Sequence, residues 1–232
     1  MQNIKKELAK YIDPEKAKIY PRFFMAGIGE YGEGDIFIGV TVPNIQKIAK
    51  KYINLPFPEI KTLLSAKIHE YRCLAVHVLI YRYQKGSKQE QEKIAKFYLA
   101  NLKGINNWDL VDISTPKILG HYLFDKDRSV IYKFSKANSL WLQRISIMTT
   151  FYFIRQNDFA DTLKLAKFFL NHKHDLIHKA AGWMLREIGK RDKKVEVAFL
   201  NKHYKNMPRT MLRYAIEKFP KKERIKYLKG SI

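Results

Sequence analysis

Cysteine is nearly absent from this 232-residue chain, and a single Cys73 excludes an internal disulfide. Its neighbours Leu74, Ala75 and Val76 are apolar, so a buried thiol is expected rather than a nucleophile, and no role is assigned to it. Long hydrophobic runs are lacking too. The longest, LAVHVLIY, falls far short of the ~20 apolar residues of a membrane span. The N-terminal MQNIKKELAKYIDPEKAKIY has no apolar h-region, so a soluble cytoplasmic protein is expected. Acidic residues are scarce: 22 Asp plus Glu stand against 44 Lys plus Arg, a net charge of +22. That surplus repels itself in the free protein and is best matched by a polyanion such as DNA or RNA, with an anionic membrane surface as the rival partner. Apolar material is plentiful. Hydrophobic residues at 46% and aromatics at 13% exclude a disordered chain, because they can bury enough surface to offset the entropy of ordering.

Alternating, strand-like runs are also missing, apart from the short DIFIGVTV at 35–42. Apolar residues recur instead at helical spacing, which predicts an all-α fold with helices near 14–25, 43–52, 57–65, 69–85, 88–103, 107–121, 127–137, 140–156, 158–171, 175–190, 193–206 and 208–218. From residue 57 onward they come in pairs. Overlaying the second helices, EYRCLAVHVL, LVDISTPKIL, LQRISIMTTF, IHKAAGWMLR and MLRYAIEKFP, sets Arg72, Asp112, Arg144, Lys179 and Arg213 in one column. Their spacing is close to the period of HEAT-type helical repeats. A single domain over 1–232 is expected, with 1–56 as N-terminal helices and a Gly-rich connection, and 57–232 as a superhelical solenoid of helix pairs. Its inner helices would line a basic concave groove suited to a duplex.

Asp112 is the exception in that basic column. A carboxylate there weakens phosphate binding, so it either has a compensating role, is neutralised by a neighbouring Lys or Arg, or caps a helix. Trp108 precedes Asp112 by four residues and Trp183 follows Lys179 by four, so each indole shares a helix face with its rung, although core packing would also account for either Trp. Pro116 removes the amide that would bond to the Asp112 carbonyl, so the helix should bend or stop there.

Gly27, Gly29 and Gly32 in AGIGEYGEGD match the G-x-G-x-x-G spacing of dinucleotide-binding loops. No strand precedes Gly27, no helical pattern starts at Gly32, and Glu30, Glu33 and Asp35 would repel a pyrophosphate, so the segment reads as a turn between the N-terminal helices and the repeats. His172, His174 and His178 in HKHDLIH have one i,i+4 pair, but no nearby Cys or acidic set completes a zinc site, and neither metal nor cofactor is expected. The stretch 201–232 holds ten Lys or Arg and two acids, either a DNA-contacting extension or a solvated face.

NNWDLVD at 106–112, WLQRISI at 141–147 and KAAGWMLREIGK at 179–190 resemble the signature segments of the AlkD-like DNA alkylation repair family of DNA glycosylases. GEYGEGDIFIGVTVP and MPRTMLRYAIEKF are similar to that family as well, so the resemblance spans nearly the whole chain. It implies a monomeric, monofunctional glycosylase that releases N3- or N7-alkylated purines such as 3-methyladenine and 7-methylguanine from double-stranded DNA, without enclosing a flipped base. It also implies that Asp112, Trp108 and Trp183 are catalytic, that Arg144 holds a phosphate beside the lesion, and that Lys179, Arg186, Arg213, Arg72 and Phe23 are further DNA contacts. No Lys is placed for Schiff-base chemistry. Phe23 stands where some relatives have Tyr, and Asp175-Leu176 where some have two aromatics, losing a hydroxyl contact and a stacking surface respectively. A non-catalytic HEAT-type scaffold binding DNA, RNA or an acidic protein is the alternative.

Overall fold

The computed structural model describes residues 2–232, and it is all-α. The chain divides into two compact units, one running to Ile118 and the other Leu119–Ile232, so the expected division near residue 56 falls inside the first unit. The first holds α1 (Gln2–Ala9), α2 (Pro14–Phe23), α3 (Val42–Lys51), α4 (Phe57–Leu64), α5 (His69–Lys85), α6 (Lys88–Ala100) and α7 (Trp108–Thr115). The second holds α8 (His121–Leu123), α9 (Ser129–Ser135), α10 (Leu140–Arg155), α11 (Ala160–Phe168), α12 (Asp175–Gly189), α13 (Lys193–His203), α14 (Arg209–Ala215) and α15 (Lys221–Lys229). Every helix read from periodicity is present. α1 and α15 were not anticipated, because each is short, highly charged and sits at an end of the sequence. Ile4 and Leu8 of α1 are nonetheless buried, and α1 packs on α3.

Local chemistry sets the boundaries. Asp13, Ser87, Asn107, Ser139 and Asp192 each accept a backbone N–H in the first turn of the helix they precede. Pro14, Pro43 and Pro58 occupy first-turn positions, where their missing N–H costs nothing. Within the first unit α3 packs on α5 and α5 on α7; within the second α10 packs on α12 and α12 on α14, so successive second helices of the pairs are neighbours. α5 buries Cys73, Leu74, Ala75, Val76, Val78, Leu79 and Ile80, which makes it the central helix of its unit. Burial raises the Cys73 thiol well above its ordinary range, as a non-nucleophilic role requires.

The strand-like DIFIGVTV forms only an isolated parallel bridge, Ile36 to Ile68, through Ile36 N–H to Lys67 O at 3.0 Å and His69 N–H to Ile36 O at 2.8 Å. Beyond Phe37, the amides of Ile38 and Gly39 donate to the Glu70 carboxylate at 3.0 and 2.8 Å, so a side chain replaces the ladder a second strand would supply. Gly39 has φ +79, and a Cβ there would meet the Asp13 carbonyl at 2.0 Å.

Gly182 brings α12 against α14: a Cβ at this position would lie 2.3 Å from the Met211 carbonyl oxygen and 2.7 Å from the Tyr214 Cβ. On an exposed helix Gly→Ala gains about 1 kcal/mol of helix propensity. Gly182→Ala should do the opposite, lowering the unfolding free energy by about 1–3 kcal/mol as the helices are forced apart. Urea unfolding of the variant beside wild type checks the sign.

Candidate active site

α7 begins at Asn107, whose side-chain oxygen accepts the Trp108 N–H at 2.8 Å. The cap fixes Trp108 at the first position of the helix, and Asp112 follows one turn later; both are half-buried. Regular α-helix stops at Thr115, and Pro116–Gly120 continues as a π-helical turn, the interruption expected from the amide that Pro116 lacks. Trp108 belongs to an aromatic cluster. The Phe24 ring stacks on it at 5.6 Å and the Phe23 ring meets it edge-on at 5.7 Å, while Phe24 also stacks on Phe37 at 5.1 Å. Phe23 is 60% exposed beside Trp108.

Beneath these rings lies a buried charge network that the sequence did not disclose. Asp35, closing the Gly-rich segment, accepts hydrogen bonds from Arg72 at 2.7 Å, from His69 Nδ1 at 3.3 Å and from Asn107 Nδ2 at 3.3 Å. His69 Nε2 donates to Asp109 at 2.9 Å. Burial alone would lower the His69 pKa, but the Asp109 and Asp35 carboxylates outweigh it and raise it to about 9. Burial would raise Asp35, but the hydrogen bonds from His69 and Asn107 and the charge of Arg72 hold it below the ordinary carboxylate range. The imidazolium therefore links α5 to the first turn of α7. A cavity of about 340 Å³ opens beside it, lined by Phe23, Phe24, Trp108, His69, Glu70 and Asp109 among others.

Arg72, placed on a groove wall by the repeat column, is 3% exposed and gives its guanidinium to Asp35 and to the Ala66 and Lys67 carbonyls, so in this arrangement it organises the interior. The glycines of the G-x-G-x-x-G spacing are likewise engaged. Gly27 N–H donates to Glu30 at 2.8 Å, Gly29 N–H to Glu33 at 3.0 Å and Gly32 N–H to the Met25 carbonyl at 2.8 Å, which leaves no cradle of free amides for a pyrophosphate.

The second unit carries the other candidates. The Trp183 indole N–H donates to Glu187 at 3.0 Å and its ring lies 5.6 Å from Phe151. Arg144 is 4% exposed and donates to the Leu176 carbonyl at 2.5 Å, so its charge is held inside the unit near the start of α12. Lys179 pairs with Asp175 at 2.7 Å, one of the two positions where aromatics were missed. Arg186 pairs with Glu217, and Arg213 is exposed. The three histidines serve the turn into α12: His172 Nδ1 accepts the His174 N–H at 3.0 Å, His174 Nδ1 accepts the Leu176 N–H at 3.1 Å, and His178 contacts the His172 carbonyl. Among the described residues no group of three or more His, Cys, Asp or Glu is arranged to hold a metal ion, and no helix is long and apolar enough to cross a membrane.

The family model described as DNA alkylation repair enzyme matches residues 4–219. The chain belongs to that family. A structural relative, a predicted DNA alkylation repair enzyme from Enterococcus faecalis, superposes with a TM-score of 0.72 over 90% of this chain and 97% of its own, at 17% identity, a likeness of fold. No curated protein matches. Within this DNA alkylation repair protein, His69 and Asp109 are the residues that motif reading missed. Asp109 stands next to Trp108, but its partner is 40 positions away and no local pattern joins them.

His69 is charged in the folded state and has an ordinary pKa near 6.5 when unfolded. Because the folded value is raised, its stabilisation is complete below about pH 6.5 and is lost as the pH climbs through about 9. The stability gap between wild type and His69→Gln should therefore shrink across that interval, by on the order of 3 kcal/mol. Urea titrations at a series of pH values read it; a pH-independent gap would refute a charged His69.

Proposed function

We propose that this DNA alkylation repair protein is a monofunctional DNA glycosylase that hydrolyses the N-glycosidic bond of cationic N3- or N7-alkylated purines in double-stranded DNA, acting at the sugar without enclosing a flipped base. The observation that carries this reading is Asp112 on α7, one turn beyond Trp108 on a helix interrupted at Pro116, in a chain that is otherwise strongly basic. An alkylated purine already bears positive charge and leaves as a neutral base without a strong general acid. Charge then develops on the deoxyribose, and a preorganised carboxylate stabilises the oxocarbenium-like sugar and orients the attacking water. The indole face of Trp108, one turn before Asp112, supplies a further attraction for that electron-poor sugar, and Trp183 is proposed as a further catalytic residue.

Arg144, Lys179, Arg186 and Arg213 are proposed as phosphate contacts, Arg213 being the exposed one, and Phe23 as an apolar contact beside Trp108. Arg144 and Arg186 first have to exchange the Leu176 carbonyl and the Glu217 carboxylate, respectively, for a phosphate. DNA brings a denser negative charge than either, and the net charge of +22 favours the exchange. A monomer suffices for this chemistry.

The test is release of 7-methylguanine and 3-methyladenine, and of bulkier N3 and N7 adducts, from alkylated duplex DNA. Wild type should release all of them, and Asp112→Asn should lose about 10²–10³-fold in single-turnover rate while still binding DNA. Binding without release by either protein would overturn the glycosylase and favour a non-catalytic scaffold. In the same binding assay Arg213→Ala should reduce the slope of log affinity against log salt by about one; an unchanged slope would remove Arg213 from the interface.

A further inference from the structure

We propose that the cleft between the α4–α5 turn and the segment leading into α7 binds a nucleoside monophosphate, its terminal phosphate held among Lys61, Lys67 and Lys103. The cleft lies wholly within the first unit and has a volume of about 490 Å³, inside the ~300–1,000 Å³ usual for small-molecule sites. The glycosylase reading makes no use of it, so neither inference depends on the other.

The three lysines come from separate connections that packing brings together. Lys61 is in the last turn of α4, Lys67 in the turn before α5, and Lys103 in the tight turn Leu102–Gly104 after α6. Gly104 permits the meeting, because a Cβ there would lie 2.5 Å from the Leu64 carbonyl oxygen. Arg72 then pins the α4–α5 turn, donating to the Ala66 and Lys67 carbonyls at 2.8 and 3.2 Å, and holds Asp35 at 2.7 Å on the neighbouring wall. All three lysines are exposed, and among the described residues none of them is paired with an acid. Three cations around one opening repel one another, and a dianion removes that repulsion.

Two buried polar atoms in the lining lack partners. The Arg72 Nε is a donor on a side chain only 3% exposed, and the Asn106 Oδ1 is an acceptor. Buried groups of both kinds are ordinarily matched, because a dry, unbonded polar atom is costly. The first suits a phosphoryl oxygen and the second an N–H, such as the exocyclic amine of a purine. Two acidic residues also line the cleft. Glu33 accepts the Gly29 N–H at 3.0 Å, and Asp35 is neutralised by Arg72 and His69. A positive surplus therefore remains at the rim. It suits a phosphate monoester, with ~1.5–2 negative charges at neutral pH, better than the single charge of a diester.

The test is isothermal titration of the full chain at low salt with deoxyadenosine monophosphate, its cyclic form, inorganic phosphate and deoxyadenosine. The monophosphate should bind saturably, inorganic phosphate should compete with it, and deoxyadenosine should bind at least about tenfold more weakly. The cyclic form, a monoanionic diester, should also lose about tenfold. Lys61→Gln and Lys103→Gln should each weaken the monophosphate about tenfold, while Lys88→Gln at the start of α6 should leave it unchanged. All three residues are exposed, so the variants should melt with wild type. No binding by wild type, full affinity in Lys61→Gln and Lys103→Gln, or an equal loss in Lys88→Gln would overturn the site. Displacement of the monophosphate by an undamaged duplex without terminal phosphates would overturn it too, making the cleft part of a DNA surface. The assay contains no damaged base, so each of these outcomes leaves the glycosylase reading to its own test.

Discussion

The Asp35 carboxylate joins three separate stretches of chain in the first unit. It receives Arg72 and His69 from α5 and Asn107 from the cap of α7, and His69 carries the linkage on to Asp109. Its side chain is 5% exposed. A buried charge of this kind is tolerable only while its partners remain, because removing one leaves an uncompensated ion in a medium that solvates it poorly. The Gly-rich loop, the central helix and the start of α7 are therefore bound to one arrangement, and the direction in which α7 projects Trp108 and Asp112 follows from it.

That arrangement resolves the tension a carboxylate creates in a basic protein. Most of the surplus charge is on exposed Lys and Arg, where it is screened and mobile. Three carboxylates of the first unit are held in place: Asp35 and Asp109 by ion pairs, Glu70 by the Ile38 and Gly39 amides. Polyanion attraction is thus supplied diffusely by the surface, while negative charge is built at defined positions.

Much of this was legible along the chain and some was not. The helices were readable because caps and prolines act within a turn: Asp13, Ser87, Asn107, Ser139 and Asp192 announce their helices locally. The break after Thr115 was readable for the same reason, since Pro116 carries its own consequence. The repeat column correctly placed its five residues on second helices but could not say which way each pointed. Arg72 and Arg144 are buried, Asp112 and Lys179 half-buried and Arg213 exposed. One register in sequence became three environments. α1 and α15 escaped notice because each is short and highly charged, which leaves apolar periodicity few positions in which to register.

By itself the sequence determined that the protein is helical, rich enough in apolar residues to fold and charged to meet a polyanion, since helical period, cap chemistry and net charge are properties of neighbouring residues or of the whole sum. It also set Trp108 and Asp112 one turn apart on a common face. Only tertiary structure decided that Arg72 belongs to Asp35, that His69 keeps its proton between two carboxylates, and that the glycines of AGIGEYGEGD spend their amides on their own glutamates and lift Ile28 into solvent. Those outcomes depend on pairings up to 72 positions apart, the separation of Asp35 from Asn107, and on exclusion of water from between them, neither of which a linear pattern records.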